Sequence, residues 1–209
     1  MPSLLPTASE QDLRTTSGIL FMIAGVFLVP MLDAFAKYLS AWLTPGQIAL
    51  FRFAIQSLIL MTILTARREL FWPGRLTGWL MLAGAFAAGA VICLIWAVSL
   101  LPLATAISIF FIEPLLLTII AALALGEKIG ARRVGAIIVG LIGAMIVIRP
   151  NWVSFGPVIL LPAAAAFFFA CYVATIRGLS VRLAGLPMQA WSGTWATLTI
   201  FVVVLLGSC

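Results

Sequence analysis

Residues 103–125 read LATAISIFFIEPLLLTIIAALAL, and Glu113 is the one charged side chain among them. A span needs roughly 20 residues to cross about 30 Å of hydrocarbon at about 1.5 Å per residue, so this stretch is long enough to do so. Six further runs repeat the pattern: Ser17–Leu39, Gly46–Ala66, Leu76–Ser99, Val134–Ile148, Gly156–Ile176 and Met188–Gly207. The fifth in chain order, Val134–Ile148, reaches full length if it starts near Arg132. Between the runs stand Pro45, Pro73-Gly74, Pro102, Gly126, Gly130, Pro150, Gly185 and Pro187. These residues break helices through their backbones. Alternating ten-residue segments, the mark of a membrane barrel, are absent. The fold class expected is an all-α integral membrane protein, a bundle of about seven transmembrane helices.

The composition agrees. Of 209 residues, 64% are hydrophobic and 9% charged, and the mean hydropathy is +1.25. Soluble domains hold about 45–50% apolar and about 25% charged residues, so the main solvent here is lipid. Histidine is absent. That excludes Ser-His and Cys-His catalysis and any His-ligated metal site. Cys93, Cys171 and Cys209 form no CxxC pair and read as small packing residues. No metal, no cofactor and no enzyme activity is implied.

The net charge of +6 would suggest nucleic acid, but its positions point to the bilayer instead. With a cytoplasmic N-terminus, the inner segments carry Arg14, Arg67, Arg68, Arg75, Lys128, Arg132, Arg133, Arg177 and Arg182. The outer segments carry Arg149 alone. Such asymmetry orients membrane proteins with the positive side in the cytoplasm. Residues 1–16 then read as a short disordered cytoplasmic tail rather than a cleavable leader. The last span leaves Cys209 outside. It ends without a loop, so it reads either as a natural end at the membrane surface or as a truncation.

A repeat divides the chain. The stretch from Gly156 mirrors the stretch from Gly18: a glycine, an apolar helix, then a loop closing in Pro45-Gly46-Gln47 or Pro187-Met188-Gln189. Five spans precede the second unit, an odd number, so the second unit starts on the opposite side of the membrane. That is the inverted-repeat arrangement of many secondary transporters.

At this point particular residues resemble a family. Leu125-Gly126-Glu127, then Arg132-Arg133-Val134-Gly135 with Gly140 and Gly143, resemble the close of an EamA repeat. Pro102-Leu103-Ala104-Thr105-Ala106, opening the fourth span, and Glu113-Pro114-Leu115 inside it resemble that repeat too, and Asp33-Ala34-Phe35-Ala36-Lys37 and Arg52 resemble the first two helices of many members. The family is the EamA-type transporters of the drug/metabolite transporter superfamily, and the Asp33–Lys37 helix resembles its S-adenosylmethionine uptake-like subgroup. The resemblance implies a tail at 1–16, one complete five-helix repeat at 17–150, and two helices of a second at 151–209. Members usually have ten helices, and this chain lacks three. The resemblance implies a permease moving a small metabolite or drug-like solute across the cytoplasmic (inner) membrane, with proton coupling one option. The alternative is a non-transporting fragment or assembly subunit, whose partner is a second copy or a helix-completing chain. An intramembrane enzyme ranks below both, because the loops are short and no carboxylate pair stands at acid–base spacing.

Four charges lie inside the runs: Asp33, Lys37, Arg52 and Glu113. Each costs roughly 2.5–3.5 kcal/mol at mid-helix, so each should be paired or used. Asp33 and Lys37 share a helix face at i and i+4. Arg52 enters from the same outer side. The three could line one outer vestibule and touch substrate. Equally, Asp33 could pair with Lys37 or Arg52 to lock two helices, with Lys37 snorkelling outward. Glu113 lies near mid-membrane beside Pro114, where a lone carboxyl is expected to be neutral or paired, for instance with Arg52. Unpaired, it suits proton coupling or a cationic group. Pro30 and Pro114 are expected to kink or loosen the helices beside these charges. Trp42, Trp79 and Trp152 read as interfacial anchors, and Trp96 as a belt or packing residue that could instead wall the vestibule. Gly84-x-x-x-Ala88, Ala85-x-x-x-Gly89 and Gly140-x-x-x-Ala144 are expected at close helix contacts. The final two spans, lacking three family helices, are expected to be the least covered.

Overall fold

The computed structural model describes residues 8–69, 72–125, 130–148 and 156–207. Among the described residues eight α-helices follow one another: α1 (Ala8–Leu39), α2 (Pro45–Ala66), α3 (Thr77–Leu100), α4 (Leu103–Phe110), α5 (Glu113–Leu125), α6 (Ala131–Ile148), α7 (Leu160–Leu179) and α8 (Gly185–Gly207). Short 3-10 turns precede α3 and α7. Among the described residues there is no strand. Six stretches are long and apolar enough to cross a membrane, one of them formed by α4 and α5 together, and α6 carries a shorter apolar core, Val134–Gly143. As expected, α6 reaches 18 residues by starting at Ala131, before Arg132. The Gly126–Lys128 segment, Arg149-Pro150, Trp152 and Cys209 lie outside the described residues.

One expectation changes at the start. Residues 8–16 were expected in a disordered tail, yet they form the first turns of α1.

The joints follow from the sequence. Thr44 caps α2 by accepting from the Gln47 N–H, while Gln47 Oε1 accepts from the Thr44 N–H. Pro45 occupies the first turn, where its missing N–H costs nothing. The Pro-x-Gln signal of the first repeat is therefore a capping box. Between α4 and α5 the chain breaks at Phe111 and Ile112. Pro114 has no N–H to give the Phe110 carbonyl, and the amides of Leu115 and Leu116 both turn to the Ile112 carbonyl at 3.1 Å. The loosening expected at Pro114 is thus a full break just before Glu113. At Pro30, by contrast, α1 runs on as a helix.

The core is built on α3. Helices α7 and α8 both pack along it, α2 packs on α8, and α5 packs on α7. Gly84 makes this possible. A Cβ there would lie 2.7 Å from the Ala196 nitrogen and the Ser192 carbonyl oxygen of α8. Gly89 lies under the Phe168 ring of α7, 3.3 Å from where a Cβ would stand. Both small-residue motifs of α3 are close contacts, as expected. Those of α6 are not: a Cβ on Gly140 or Gly143 would meet nothing within 4 Å.

The coverage expected of the last two helices is overturned. Ala165, Ala166 and Ala170 of α7 and Ala190, Ser192, Ala196 and Ile200 of α8 are buried. Of the six long spans the least covered is α1, where only 6% of the apolar window is buried, against 33% in α7 and 28% in α8. Sequence adjacency misled here, because α3 covers both α7 and α8.

Direction is readable from the contacts. Lys37, near the end of α1, bonds carbonyls at the end of α3, so α1 and α3 are parallel. Leu179, ending α7, packs with Leu80 at the start of α3, so α7 is antiparallel to both. Gly46, starting α2, meets Val204 near the end of α8. Helices α1 and α7, and α2 and α8, therefore run oppositely, as an inverted repeat requires.

Candidate functional site: a charged α1–α2–α3 end and a broken helix

Asp33 of α1 pairs with Arg52 of α2 at 3.6 Å, their side chains 14% and 29% exposed respectively. Of the two pairings open to Asp33 in the sequence, the one across helices is formed. It joins α1 to α2, two helices that otherwise meet little.

Lys37 does something the sequence reading missed. Its ammonium donates to the Val98 carbonyl at 2.5 Å and the Leu101 carbonyl at 2.9 Å. In a continued helix the Val98 carbonyl would accept from residue 102, which is Pro102 and has no N–H. Lys37 supplies the missing donor and ties α1 to the α3–α4 joint. Pro102 together with an intramembrane lysine was the available signal.

Asp33 also lines a cavity of about 520 Å³ between α1 and α4, with Met22, Gly25, Val26, Val29, Pro30, Leu103, Ile107, Phe110 and Phe111. Its walls are apolar and aromatic, and Asp33 is their one ionisable group. The structure thus brings Asp33, Arg52 and Pro30 together and turns Lys37 away to carbonyls.

Glu113 stands apart from that cluster. It opens α5 directly after the break and is half-buried. Among the described residues it has no hydrogen-bond or ion-pair partner, since Arg52 is committed to Asp33. A cavity of about 330 Å³ lies beside it, lined by Phe111 and Pro114 on one side and Ile137, Gly140 and Leu141 of α6 on the other. A carboxyl at such a break can bind or release a proton without breaking a pair.

Helices α7 and α8 contribute polar contacts that the sequence alone did not single out. Tyr172 Oη donates to Gln189 Oε1 at 2.9 Å, joining α7 to α8. Gln189, read only as a repeat marker, has a different task from its counterpart Gln47. The Ser57 and Thr197 hydroxyls meet at 3.3 Å between α2 and α8. Phe110, Phe169 and Tyr172 form an aromatic chain from the α1/α4 cavity to the Tyr172–Gln189 bond, with centroids 5.7 and 5.9 Å apart. Trp42, Trp79 and Trp96 are all exposed, as interfacial residues are.

A multi-pass helical membrane protein, with antiparallel helix pairs and ionisable groups held inside its spans, is the class this architecture defines. The chain belongs to the EamA-like transporter family, whose model matches residues 16–149. It is 30% identical over 173 residues to a riboflavin transporter of Vibrio cholerae, covering 78% of this chain and 56% of that protein. It is 27% identical over 167 residues to a pseudopaline exporter of Pseudomonas aeruginosa, covering 79% and 58%. An S-adenosylmethionine uptake transporter of Rickettsia prowazekii is 26% identical over 154 residues, covering 74% and 52%. The chain thus spans about half the length of the curated relatives it matches. One solved crystal structure aligns with 84% of the chain and 63% of its own length, with a TM-score of 0.59 at 22% identity, a likeness in fold.

Proposed function

We propose that the chain forms the solute path of a secondary transporter for a small organic metabolite, oriented with its N-terminus in the cytoplasm. The observation that carries this reading is Glu113, a carboxyl at a helix break inside a span that has no partner among the described residues. A purely structural carboxyl in lipid would be expected to hold a partner. Asp33, facing the α1/α4 cavity, is the substrate contact. Arg52 balances its charge, Lys37 positions α1, and Glu113 exchanges the coupling proton. Transport of small solutes by the named relatives supports the class, and no one solute is favoured among them. A proteoliposome uptake screen with an imposed pH gradient tests it; a correctly folded protein that moves none of a broad metabolite panel would sink it.

A second reading has its own support. The chain covers just over half of the relatives it matches, and α1 carries an almost uncovered apolar face. By the inverted-repeat relation, α3 covers α7 and α8, so an equivalent helix should cover α1 and α2. On this reading the chain is an assembly subunit completed by a second copy or by a helix-supplying partner, and translocates only then. Mass measurement of the purified protein in nanodiscs separates the two: a monomer that transports favours the first, an inactive monomer activated by a partner favours the second.

A further inference from the structure

A separate cavity lies at the end of the bundle where α3 begins and α7 ends. It encloses about 420 Å³ between α3, α5 and α7, and shares no lining residue with the Asp33 cavity. Trp79 and Phe86 of α3, Ile120 of α5, and Cys171 and Thr175 of α7 form its walls, and Arg182 stands at its mouth. Phe86 is steadied by Phe168, 6.5 Å away centre to centre, so that wall is preformed.

Its depth points to a particular ligand. From Cys171 to Leu179 the lining follows α7 for about 12 Å at about 1.5 Å per residue, and Arg182 stands in the turn beyond. The apolar span of α7 ends at Leu179, which sets Arg182 at headgroup level. The cavity therefore reaches about 12 Å into a hydrocarbon core of about 30 Å, most of the depth of one leaflet. Its polar groups are few. The Thr175 hydroxyl is already given to the Cys171 carbonyl at 2.8 Å. Arg182 has no side-chain hydrogen bond or ion pair among the described residues, while its backbone N–H is pinned to the Leu179 carbonyl at 2.8 Å. The cleft thus offers an exposed guanidinium, carried on a turn whose backbone is bonded back to α7, and an apolar slot beside it. A guanidinium matches a phosphate in geometry as well as charge.

We propose that this cleft binds an anionic phospholipid, its phosphate on Arg182 and one acyl chain between Trp79, Phe86 and Ile120. The proposal stands on this cavity alone and does not depend on the transport reading.

The test is competitive lipid retention, which needs no transport. The full chain is purified in detergent with equal dioleoylphosphatidylglycerol and dioleoylphosphatidylcholine, and the retained lipids are counted by native mass spectrometry. The wild type should retain phosphatidylglycerol preferentially. Arg182→Gln should cut that preference about five-fold, the effect of one cation near an anionic headgroup. Arg182→Lys should keep part of it. Arg132→Gln, an exposed change on α6, should leave it intact. Thr175→Phe, which fills the slot, should lose both lipids. Three results would overturn the proposal: an unchanged preference in Arg182→Gln, an equal fall in Arg132→Gln, or displacement of the lipid by excess glycerol phosphate. The last would mean a site for soluble phosphates.

Discussion

Lys37 donates to the carbonyl of Val98 at 2.5 Å, the carbonyl that Pro102 cannot pair. One charged side chain therefore repairs a backbone defect two helices away and fastens α1, a helix with little else to hold it.

Replacing Lys37 by Met should leave the Val98 and Leu101 carbonyls without a charged donor. The expected cost is about 2 kcal/mol, read as a lower midpoint of thermal unfolding in detergent. Protease cleavage around residues 40–43 should also rise as α1 loosens. Lys37→Arg should recover part of the loss. Unchanged stability in Lys37→Met would remove the bond from the description of the fold.

Asp33 and Arg52 should behave as a coupled pair. Asp33→Asn or Arg52→Gln alone should destabilise by about 1–2 kcal/mol, each leaving one charge inside the membrane. The double change should cost less than the sum, because no charge is stranded. Strictly additive losses in a double-mutant cycle would mean that the 3.6 Å approach carries no energy.

Two glycines should respond oppositely. Gly84→Leu places side-chain atoms where the α8 backbone already is, 2.7 Å from a Cβ position, and should cost about 3 kcal/mol or separate α3 from α8. Gly140→Ala meets open space and should stay within about 0.5 kcal/mol of wild type. Near-infrared fluorescence of dye-labelled folded protein across a temperature ramp, or circular dichroism, reads both.

Topology has its own measurement. In a background with all three cysteines replaced, Ser3→Cys should be labelled only after membranes are permeabilised. Trp42→Cys, in the exposed α1–α2 turn, should be labelled from outside in intact cells. The reverse pattern would invert the orientation drawn from the lysines and arginines.

The spans were legible because hydropathy and helix breakers are local properties of the chain. The break before Glu113 was legible for the same reason: Pro114 removes a donor at a known place. Helix partnership was not. Nothing in residues 160–207 says that α3 will cover them, because lipid-facing and helix-facing surfaces are equally apolar. Gly84 and Gly140 sit in similar motifs, yet only Gly84 has a neighbour. Among the charges, residue type and depth announced that Asp33, Lys37, Arg52 and Glu113 needed explaining. Which partner each takes depended on tertiary placement: Asp33 chose Arg52 over Lys37, and Lys37 chose carbonyls. The Tyr172–Gln189 bond was hidden because Gln189 already had a local reading.

The proposed role of Glu113 rests on its taking up and releasing a proton as the site faces each side. Glu113→Gln keeps the shape and holds the side chain neutral, and Glu113 has no described partner to strand. The decisive measurement is solute uptake into proteoliposomes containing the Glu113→Gln protein, with and without an imposed pH gradient. The expected result is normal expression and folding, surviving solute exchange, and loss of the gradient-driven component. Full gradient-driven uptake by well-folded Glu113→Gln protein would contradict it.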